Sequence, residues 1–168
     1  MININLKKAE LSDKRTLRNL LQFYVYDFTE FLAFDLNDEG LYKEYLVDDY
    51  FTSSEKSAFL VRIDDKLAGF VLVSDETILN ENQGGKCIKE FFVTRRYRRQ
   101  GVGRIVARLT WDLYPGKWEM KVELTNKPAQ QFWEAAIRAY PNKEWFRRQE
   151  CNTNGWNGIV FSLIASRA

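Results

Sequence analysis

The sequence predicts an α/β domain, with a mixed β-sheet and helices packed against its faces. Short runs rich in β-branched and aromatic residues indicate strands, and other segments repeat apolar residues every three or four positions, as amphipathic helices do. A length of 168 residues, 45% of them hydrophobic, is enough for one core. We therefore expect one domain over residues 1–168 with the element order β-α-α-β-β-β-α-β-α-β-β.

The N-terminal segment predicts one strand followed by two helices. Residues 2–7 read as the strand. Apolar residues at helical spacing from Leu17 to Leu32 predict a helix of about twenty residues, whose buried stripe includes Tyr24 and Phe28. A shorter helix is expected over residues 41–50.

Three strands and a helix should follow. The runs SAFLVRI and KLAGFVLVS, joined by Asp64 and Asp65, are typical of a β-hairpin. CIKEFFV reads as the next strand, and GVGRIVARLTWDLY reads as a helix that Pro115 and Gly116 end. A parallel crossover through this helix should be right-handed.

The C-terminal segment completes the sheet. WEMKVEL alternates like a strand, and the next helix should begin with Asn126 as its cap and Pro128 in its first turn. The runs EWFRRQE and GIVFSLIA predict two terminal strands.

Charge is distributed unevenly along the chain, although its net value is only +2. Residues 1–92 carry more acids than bases, and residues 93–168 carry more bases than acids. This division suits a protein with an anionic and a cationic ligand, but two solvated faces of different charge explain it equally well.

The composition excludes several chemistries. The chain has no histidine, so a Ser-His or Cys-His nucleophilic pair cannot form, and the isolated Cys87 and Cys151 do not suggest a zinc site or a disulfide framework. The N-terminus lacks an apolar signal core and no apolar run is long enough to span a membrane. We expect a cytoplasmic protein without a metal and without a membrane partner.

The stretch RRQGVG, residues 98–103, joins the predicted strand CIKEFFV to a helix. The first N–H groups of a helix have no internal partner and carry the positive end of its dipole, so this position is an anion site. Val106 stands where a dinucleotide fingerprint needs glycine, and GGKC at Gly84 lacks the features of a P-loop.

In this order of elements, RRQGVG resembles the acyl-CoA pyrophosphate loop of the GNAT N-acyltransferase superfamily. NKPAQQFW resembles that superfamily's Asn-x-x-Ala-x-x-Phe-Tyr signature, and the resemblance extends over nearly the whole chain. It implies a mixed, mostly antiparallel sheet of six or seven strands with a splayed central strand, flanked by about four helices.

The resemblance also implies how acetyl-CoA binds. The pyrophosphate is expected on the loop and helix start, at Arg98, Arg99, Gln100, Gly101, Val102, Gly103 and Arg104. The pantetheine arm is expected to pair with the splayed strand at Phe92, Val93 and Thr94 as an added strand would. Asn126, Phe132 and Trp133 match positions that meet the arm from the other side, although core packing explains Phe132 equally well.

Acyl transfer from a thioester to an amine needs a proton acceptor, a site for the developing oxyanion and a proton for the thiolate. Glu90 is the candidate base, since the resemblance places a functional acid there; an ion-pair role is the alternative. The superfamily's usual tyrosine is Trp133 here, and an indole is no acid at neutral pH. Tyr140 on the same helix is the remaining candidate donor, whereas Cys87 has no base partner.

The acceptor is expected to be an amine of a small molecule or a peptide. In this fold the first helices and their loop commonly wall the acceptor pocket. Candidate binding residues in that region are Tyr26, Asp27, Glu30, Asp35 and Asp38, which would form an acidic, aromatic pocket for an ammonium group. For any single one of these acids, a solvated surface position is the simpler explanation.

Two other functions compete with an acetyl-CoA dependent N-acetyltransferase. The missing tyrosine suits an acyl-CoA binding or sensing module without catalysis. The arginine cluster suits a nucleic-acid surface, but the overall charge is too near neutral to favour it, so no nucleic-acid partner is expected. Strands near the C-terminus make a homodimer a further candidate.

Overall fold

Seven strands and four α-helices occupy residues 3–153 and 156–166, the part of the chain that a computed structural model describes. The strands are β1 (Ile4–Lys8), β2 (Lys56–Ile63), β3 (Lys66–Ser74), β4 (Lys86–Val93), β5 (Gly116–Glu123), β6 (Lys143–Thr153) and β7 (Trp156–Ala165). The helices are α1 (Lys14–Phe28), α2 (Asp49–Thr52), α3 (Val102–Leu113) and α4 (Lys127–Ala139).

The strands form one sheet of order β1-β2-β3-β4-β5-β7-β6. Every neighbouring pair is antiparallel except β4 and β5, which are parallel. This arrangement confirms the predicted fold class and element order. Ile2, with which the predicted first strand begins, lies outside the described residues.

The hairpin between β2 and β3 turns at Asp64 and Asp65, as predicted. Both have positive φ, +46° and +63°, as a two-residue turn matching the twist of the strands requires. The Asp64 carboxylate also accepts a hydrogen bond from the Asn3 N–H at 3.0 Å, which ties the turn to the start of β1.

Two helix predictions were wrong in the segment between β1 and β2. The first helix ends at Phe28 rather than near Leu32. The predicted helix over residues 41–50 is absent, and only the short α2 forms at its end. The side chain of Gln22 accepts a hydrogen bond from the Tyr42 N–H at 2.9 Å and donates one to the Tyr42 carbonyl at 3.4 Å, so α1 holds this segment extended.

A core lies on each face of the sheet because the strands alternate. Phe70 and Leu72 of β3 pack on the same side as Leu17 and Leu21 of α1. Val71 and Val73 pack with α3 and α4 on the opposite side, in a core that includes the buried side chains of Trp111 on α3, Trp133 on α4 and Trp118 on β5.

Candidate active site

The two central strands separate soon after they meet. β4 and β5 are in register only at Lys86, Cys87 and Ile88, although both strands continue beyond this point. In its pairing with β3, β4 carries a bulge, since Val73 pairs with Ile88 while Leu72 pairs with Glu90. An extra residue on one strand bends it and increases its local twist, which is consistent with β4 leaving β5 here.

A cavity of about 780 Å³ begins where the strands part. One wall is formed by α1 and the extended segment before α2, and another by β4, β5 and the start of α4. Its lining is aromatic and acidic with some lysines: Tyr24, Phe28, Phe34, Asp35, Tyr42, Lys43, Glu44, Tyr45, Lys89, Glu90, Phe91, Lys121, Glu123, Asn126, Trp133 and Trp156 are among the lining residues.

Glu90 is held in this cavity by two tyrosines. Tyr24 on α1 donates its hydroxyl hydrogen to Oε2, and Tyr45 donates to Oε1 at 2.7 Å. Glu90 alternates with Phe92 along β4, and Phe92 packs in the core beneath α1, so the carboxylate is on the α1 face of the sheet. Each carboxylate oxygen therefore has a phenol donor.

Burial raises the pKa of the Glu90 carboxyl above its usual value, against the opposing effects of Tyr24, Tyr45, Lys89 and Lys121. A carboxylate shifted in this direction is a better proton acceptor than an exposed one, because the best general base has a pKa near the working pH. The position is also one in which a functional carboxylate is expected.

The loop after β4 leads into α3 through two residues with positive φ. Arg99 has φ +61° and Gly101 has φ +81°; Gly101 is also the N-cap of α3. Its carbonyl accepts from Ile105 N–H at 3.2 Å, while the first N–H groups of the helix, at residues 102–104, have no acceptor within the helix. With the exposed Arg99 and Arg104 alongside, this helix start fits a diphosphate.

Gly103 lies directly against a side chain of α4. A Cβ at this position would lie 2.9 Å from Cε2 of Phe132 on α4, closer than carbon atoms pack. The Phe132 ring in turn packs on Phe91, with centroids 5.5 Å apart, and on Trp133 at 4.9 Å. The glycine thus lets the start of α3 approach the cavity wall.

Asp27 forms ion pairs with two arginines of the loop. Arg95 donates to its carboxylate at 2.8 Å and Arg98 donates to the other oxygen, while Arg98 Nε donates to the Val93 carbonyl at 2.6 Å. The Asp27 side chain is only 19% exposed. In this structure Arg98 therefore links the end of β4 to α1. Gln100 makes a separate contact, in which its side-chain amide donates to the Arg96 carbonyl at 2.7 Å.

The residues expected to meet the pantetheine arm lie around the gap between the strands. Asn126 caps α4 as predicted, accepting from the Ala129 N–H at 3.0 Å, and lines the cavity with Trp133. Trp133 is buried, with its ring 5.1 Å from that of Phe91. Phe92 and Val93 are buried at the end of β4, and Thr94 donates its N–H to the Ala68 carbonyl at 2.8 Å.

Tyr140 lies away from these residues. Its hydroxyl donates to Asp112 on α3 at 2.8 Å, its ring packs on Trp111, and burial together with Asp112 raises the pKa of the phenol. Tyr140 does not line the cavity. The structure accordingly does not bring Tyr140 to Glu90.

Only some of the residues expected to bind the acceptor lie at the cavity. Asp35 lines the cavity, whereas Tyr26, Glu30 and Asp38 are exposed and outside its lining. Several cavity residues escaped the sequence interpretation, among them Tyr24, Tyr45 and Glu123. Tyr24 matched the buried stripe of α1, and Tyr45 fell within a helix that does not form. Glu123 accepts a hydrogen bond from the Trp156 indole N–H at 2.7 Å. The alternation of WEMKVEL was the one sequence signal that could have indicated that Glu123 faces the cavity.

A family model described as the acetyltransferase (GNAT) family matches residues 19–137. This match spans every cavity residue named above except Trp156, together with the arginine-bearing loop and most of α4. The chain belongs to the GNAT acetyltransferase family. No curated protein sequence matches this GNAT chain significantly.

Solved structures share the fold at low sequence identity. An acetyltransferase from Thermus thermophilus has 13% identity and a TM-score of 0.67, with 95% of this chain and 96% of that one covered. The aminoglycoside acetyltransferase AAC(6')-Ib in complex with coenzyme A and kanamycin has 13% identity and a TM-score of 0.69, covering 96% and 95%. A spermidine N-acetyltransferase chimera of the Vibrio cholerae protein and hSSAT has 16% identity and a TM-score of 0.60, also covering 96% and 95%.

Two negative findings hold for residues 3–153 and 156–166. None of the helices there combines the length and apolar character that a membrane crossing needs. Nor does this part of the GNAT chain contain a cluster of three or more side chains suited to hold a metal ion.

Proposed function

We propose that this GNAT protein transfers an acetyl group from acetyl-CoA to a primary amine of a small molecule or peptide, by direct attack in a ternary complex. The observation that carries the proposal is Glu90, a part-buried carboxylate that accepts hydrogen bonds from two phenols at the point where β4 leaves β5. In this role Glu90 accepts a proton from the attacking amine.

The coenzyme side is assigned to the gap and to the start of α3. The N–H groups of residues 102–104, with Arg99 and Arg104, would hold the pyrophosphate. The free edge of β4 at Phe92 and Val93 would bind the pantetheine arm like a strand, with a backbone N–H there facing the thioester oxygen. Bound acetyl-CoA supplies an activated acyl group, and these residues orient it toward Glu90.

The acceptor side is assigned to the cavity beneath α1. Glu123 and Asp35 give it negative charge, and Tyr42 and Trp156 give it aromatic faces that attract a cation. Structural neighbours are named for amine acceptors, kanamycin and spermidine, which supports a cationic amine here. Cys87 and Cys151 are free thiols, as suits the reducing cytoplasm, where we expect the protein to act.

A second candidate is an acyl-CoA binding or sensing module without turnover. Trp133 favours it, because an indole replaces the residue expected to protonate the leaving thiolate. The phenols on Glu90 argue for catalysis instead, since they keep a proton-transfer group at the gap.

Release of free thiol from acetyl-CoA distinguishes the two. The protein is mixed with acetyl-CoA and with polyamines, aminoglycosides, amino acids or peptides, and Glu90→Gln is the matched control with the same shape. We expect amine-dependent thiol release by the natural protein and a loss of about 10²-fold or more in the variant. Coenzyme A binding by calorimetry without turnover on the whole panel would support the sensing module, and no binding at millimolar coenzyme A would refute both.

A further inference from the structure

The structure leaves the leaving thiolate without its expected proton donor. Trp133 offers an indole at the gap, and Tyr140 donates to Asp112 outside the cavity. Tyr24, Tyr42 and Tyr45 do line the cavity, and of these Tyr24 and Tyr45 donate hydrogen bonds to Glu90. They are candidates for the missing donor.

A phenol that bonds the base is close to the leaving atom for a geometric reason. The attacking nitrogen must lie within hydrogen-bonding distance of Glu90, and the thioester carbon lies about 3–3.5 Å from that nitrogen in a reactive arrangement. The sulfur is bonded directly to this carbon. A hydroxyl on the side of Glu90 that faces the thioester is therefore better placed to approach the sulfur than one on the opposite side.

The two tyrosines approach Glu90 from different ends of β4. The ring of Tyr24 packs against Phe92, with centroids 6.1 Å apart, and against Phe70, the strand partner of Phe92, at 5.7 Å. Phe92 lies beyond the point where β4 separates from β5. Tyr24 thus stands at the open end, where the pantetheine arm is assigned.

Tyr45 reaches Glu90 from the closed end. Its neighbour Tyr50 lies beneath Lys56, whose Nζ is 5.9 Å from the ring centre. Lys56 pairs with Ser74, and Ser74 pairs with Cys87, where β4 and β5 are still joined. Tyr45 is therefore suited to orient Glu90 and is on the wrong side to reach the sulfur.

Building on the proposed function, we propose that Tyr24 is the catalytic proton donor to the thiolate and that Glu90 returns the proton to it. The acceptor ammonium first loses one proton to water. Its nitrogen electron pair then forms the N–C bond, Glu90 accepts the second proton, and the C–S bond breaks with its electrons moving to sulfur. The Tyr24 hydroxyl gives its proton to sulfur and takes the proton held by Glu90, leaving an amide, a thiol and the original site.

The acidity of Tyr24 depends on the charge of Glu90, which changes during this sequence. Burial first, and then Glu90, Tyr45 and Glu123, raise the pKa of the Tyr24 phenol, so it stays protonated at neutral pH. Lys89 and Lys121 stand near Glu90 and oppose the rise in its own pKa. When Glu90 takes up a proton its negative charge disappears, and Tyr24 becomes more acidic at the moment when the thiolate forms.

Tyr24→Phe and Tyr45→Phe test the proposal as a matched pair, because each removes one phenol hydroxyl from Glu90. With acetyl-CoA we expect Tyr24→Phe to lower kcat by about 10²-fold with little change in KM, and Tyr45→Phe to cost less than about tenfold. With acetyl-seleno-CoA, whose selenolate leaves without needing a proton, the Tyr24→Phe loss should largely vanish. The Tyr45→Phe loss should stay the same with both esters.

A binding measurement that needs no turnover is the second arm. Calorimetry compares coenzyme A with desulfo-coenzyme A, which lacks the sulfur atom. If Tyr24 donates a hydrogen bond to sulfur, Tyr24→Phe should lower the affinity for coenzyme A relative to that for desulfo-coenzyme A by about 2- to 12-fold. This change is the equivalent of one ordinary hydrogen bond. The ratio should not change in Tyr45→Phe.

Equal losses for the two variants with both esters, together with an unchanged affinity ratio, would overturn the role of Tyr24 and leave it a positioning residue. Failure of the proposed function looks different, because the natural protein would then show no amine-dependent acetyl transfer at all. Thermal unfolding of both variants checks that the native fold is retained.

Discussion

Reversing the charge of Arg104 should weaken coenzyme A binding much more than the same change one turn later at Arg108. Both arginines are exposed on α3, but Arg104 belongs to the first turn, among the N–H groups assigned to the pyrophosphate. Arg108 follows four residues later, about 6 Å further along the helix axis. Arg104→Glu also puts an acid at a helix N-terminus, where it stabilises the helix, so the variant should fold.

The expected difference follows from distance and screening. A positive charge about 4 Å from a phosphate oxygen contributes about 1 kcal/mol in water, and physiological salt lowers this to about 0.6 kcal/mol. Reversing the charge doubles the effect to about 1.2 kcal/mol, or about an eightfold loss of affinity. At about 10 Å the same arithmetic gives about 0.2 kcal/mol, which is less than a twofold loss.

Calorimetric titration of both variants with coenzyme A at two salt concentrations measures these effects. We expect the gap between Arg104→Glu and Arg108→Glu to narrow as salt is raised, because exposed charges are screened. Equal losses for the two variants would mean that only the general charge of the protein matters. No loss for Arg104→Glu would place the pyrophosphate elsewhere.

Three further predictions concern other parts of the molecule. Because burial raises the pKa of Glu90, the folded state binds the Glu90 proton more tightly than the unfolded chain does, and this stabilisation is lost as pH rises from about 4.5 through the folded pKa. Glu90→Gln should therefore have a higher Tm than the natural protein at pH 7 and a similar Tm at pH 4. A Tm difference that is the same at both pH values would contradict this. Asp27→Asn should free Arg95 and Arg98 to bind phosphate, so calorimetry at low salt should show coenzyme A binding several times more tightly than to the natural protein. Weaker binding would show that the ion pairs with Asp27 hold the loop in its binding conformation. Asp65→Gly should raise Tm by about 2–4 °C, because glycine adopts positive φ without the cost of about 1 kcal/mol that a side chain incurs. An unchanged Tm would show that the backbone of Asp65 is not strained.

The elements that the sequence predicted well are those in which local chemistry and tertiary packing agree. The Asp64–Asp65 turn, the Asn126 cap and the strand CIKEFFV each depend on a few neighbouring residues, and each appears in the structure as expected. The predicted helix over residues 41–50 did not form, and the apolar side chains of this segment do not share one buried face: Val47 and Tyr50 pack in the core, whereas Leu46 is 79% exposed. A contact from Gln22, about twenty residues earlier in the chain, decides the conformation instead.

The candidate site was less accessible from the sequence because its contacts are long-range. Tyr24 satisfied the apolar period of α1, and nothing local shows that its hydroxyl meets Glu90 on a strand 66 residues later. Arg98 read as a free phosphate ligand, but its pairing with Asp27 depends on how α1 lies over the end of β4. A strand and a helix start could be recognised from their own residues, whereas the partners of each charged group could not.

The early separation of β4 from β5 also bears on how the protein tolerates an open sheet. From Lys89 onward, within the described residues, β4 has no registered partner in β5, so the backbone polar groups on that side face the cavity instead of an outer edge of the sheet. Unpaired strand edges on a surface invite association with other chains, but α1 and α4 enclose this one. A narrow ligand can enter this gap, whereas a second polypeptide cannot. Amide hydrogen exchange at residues 91–93 should become slower when such a ligand binds.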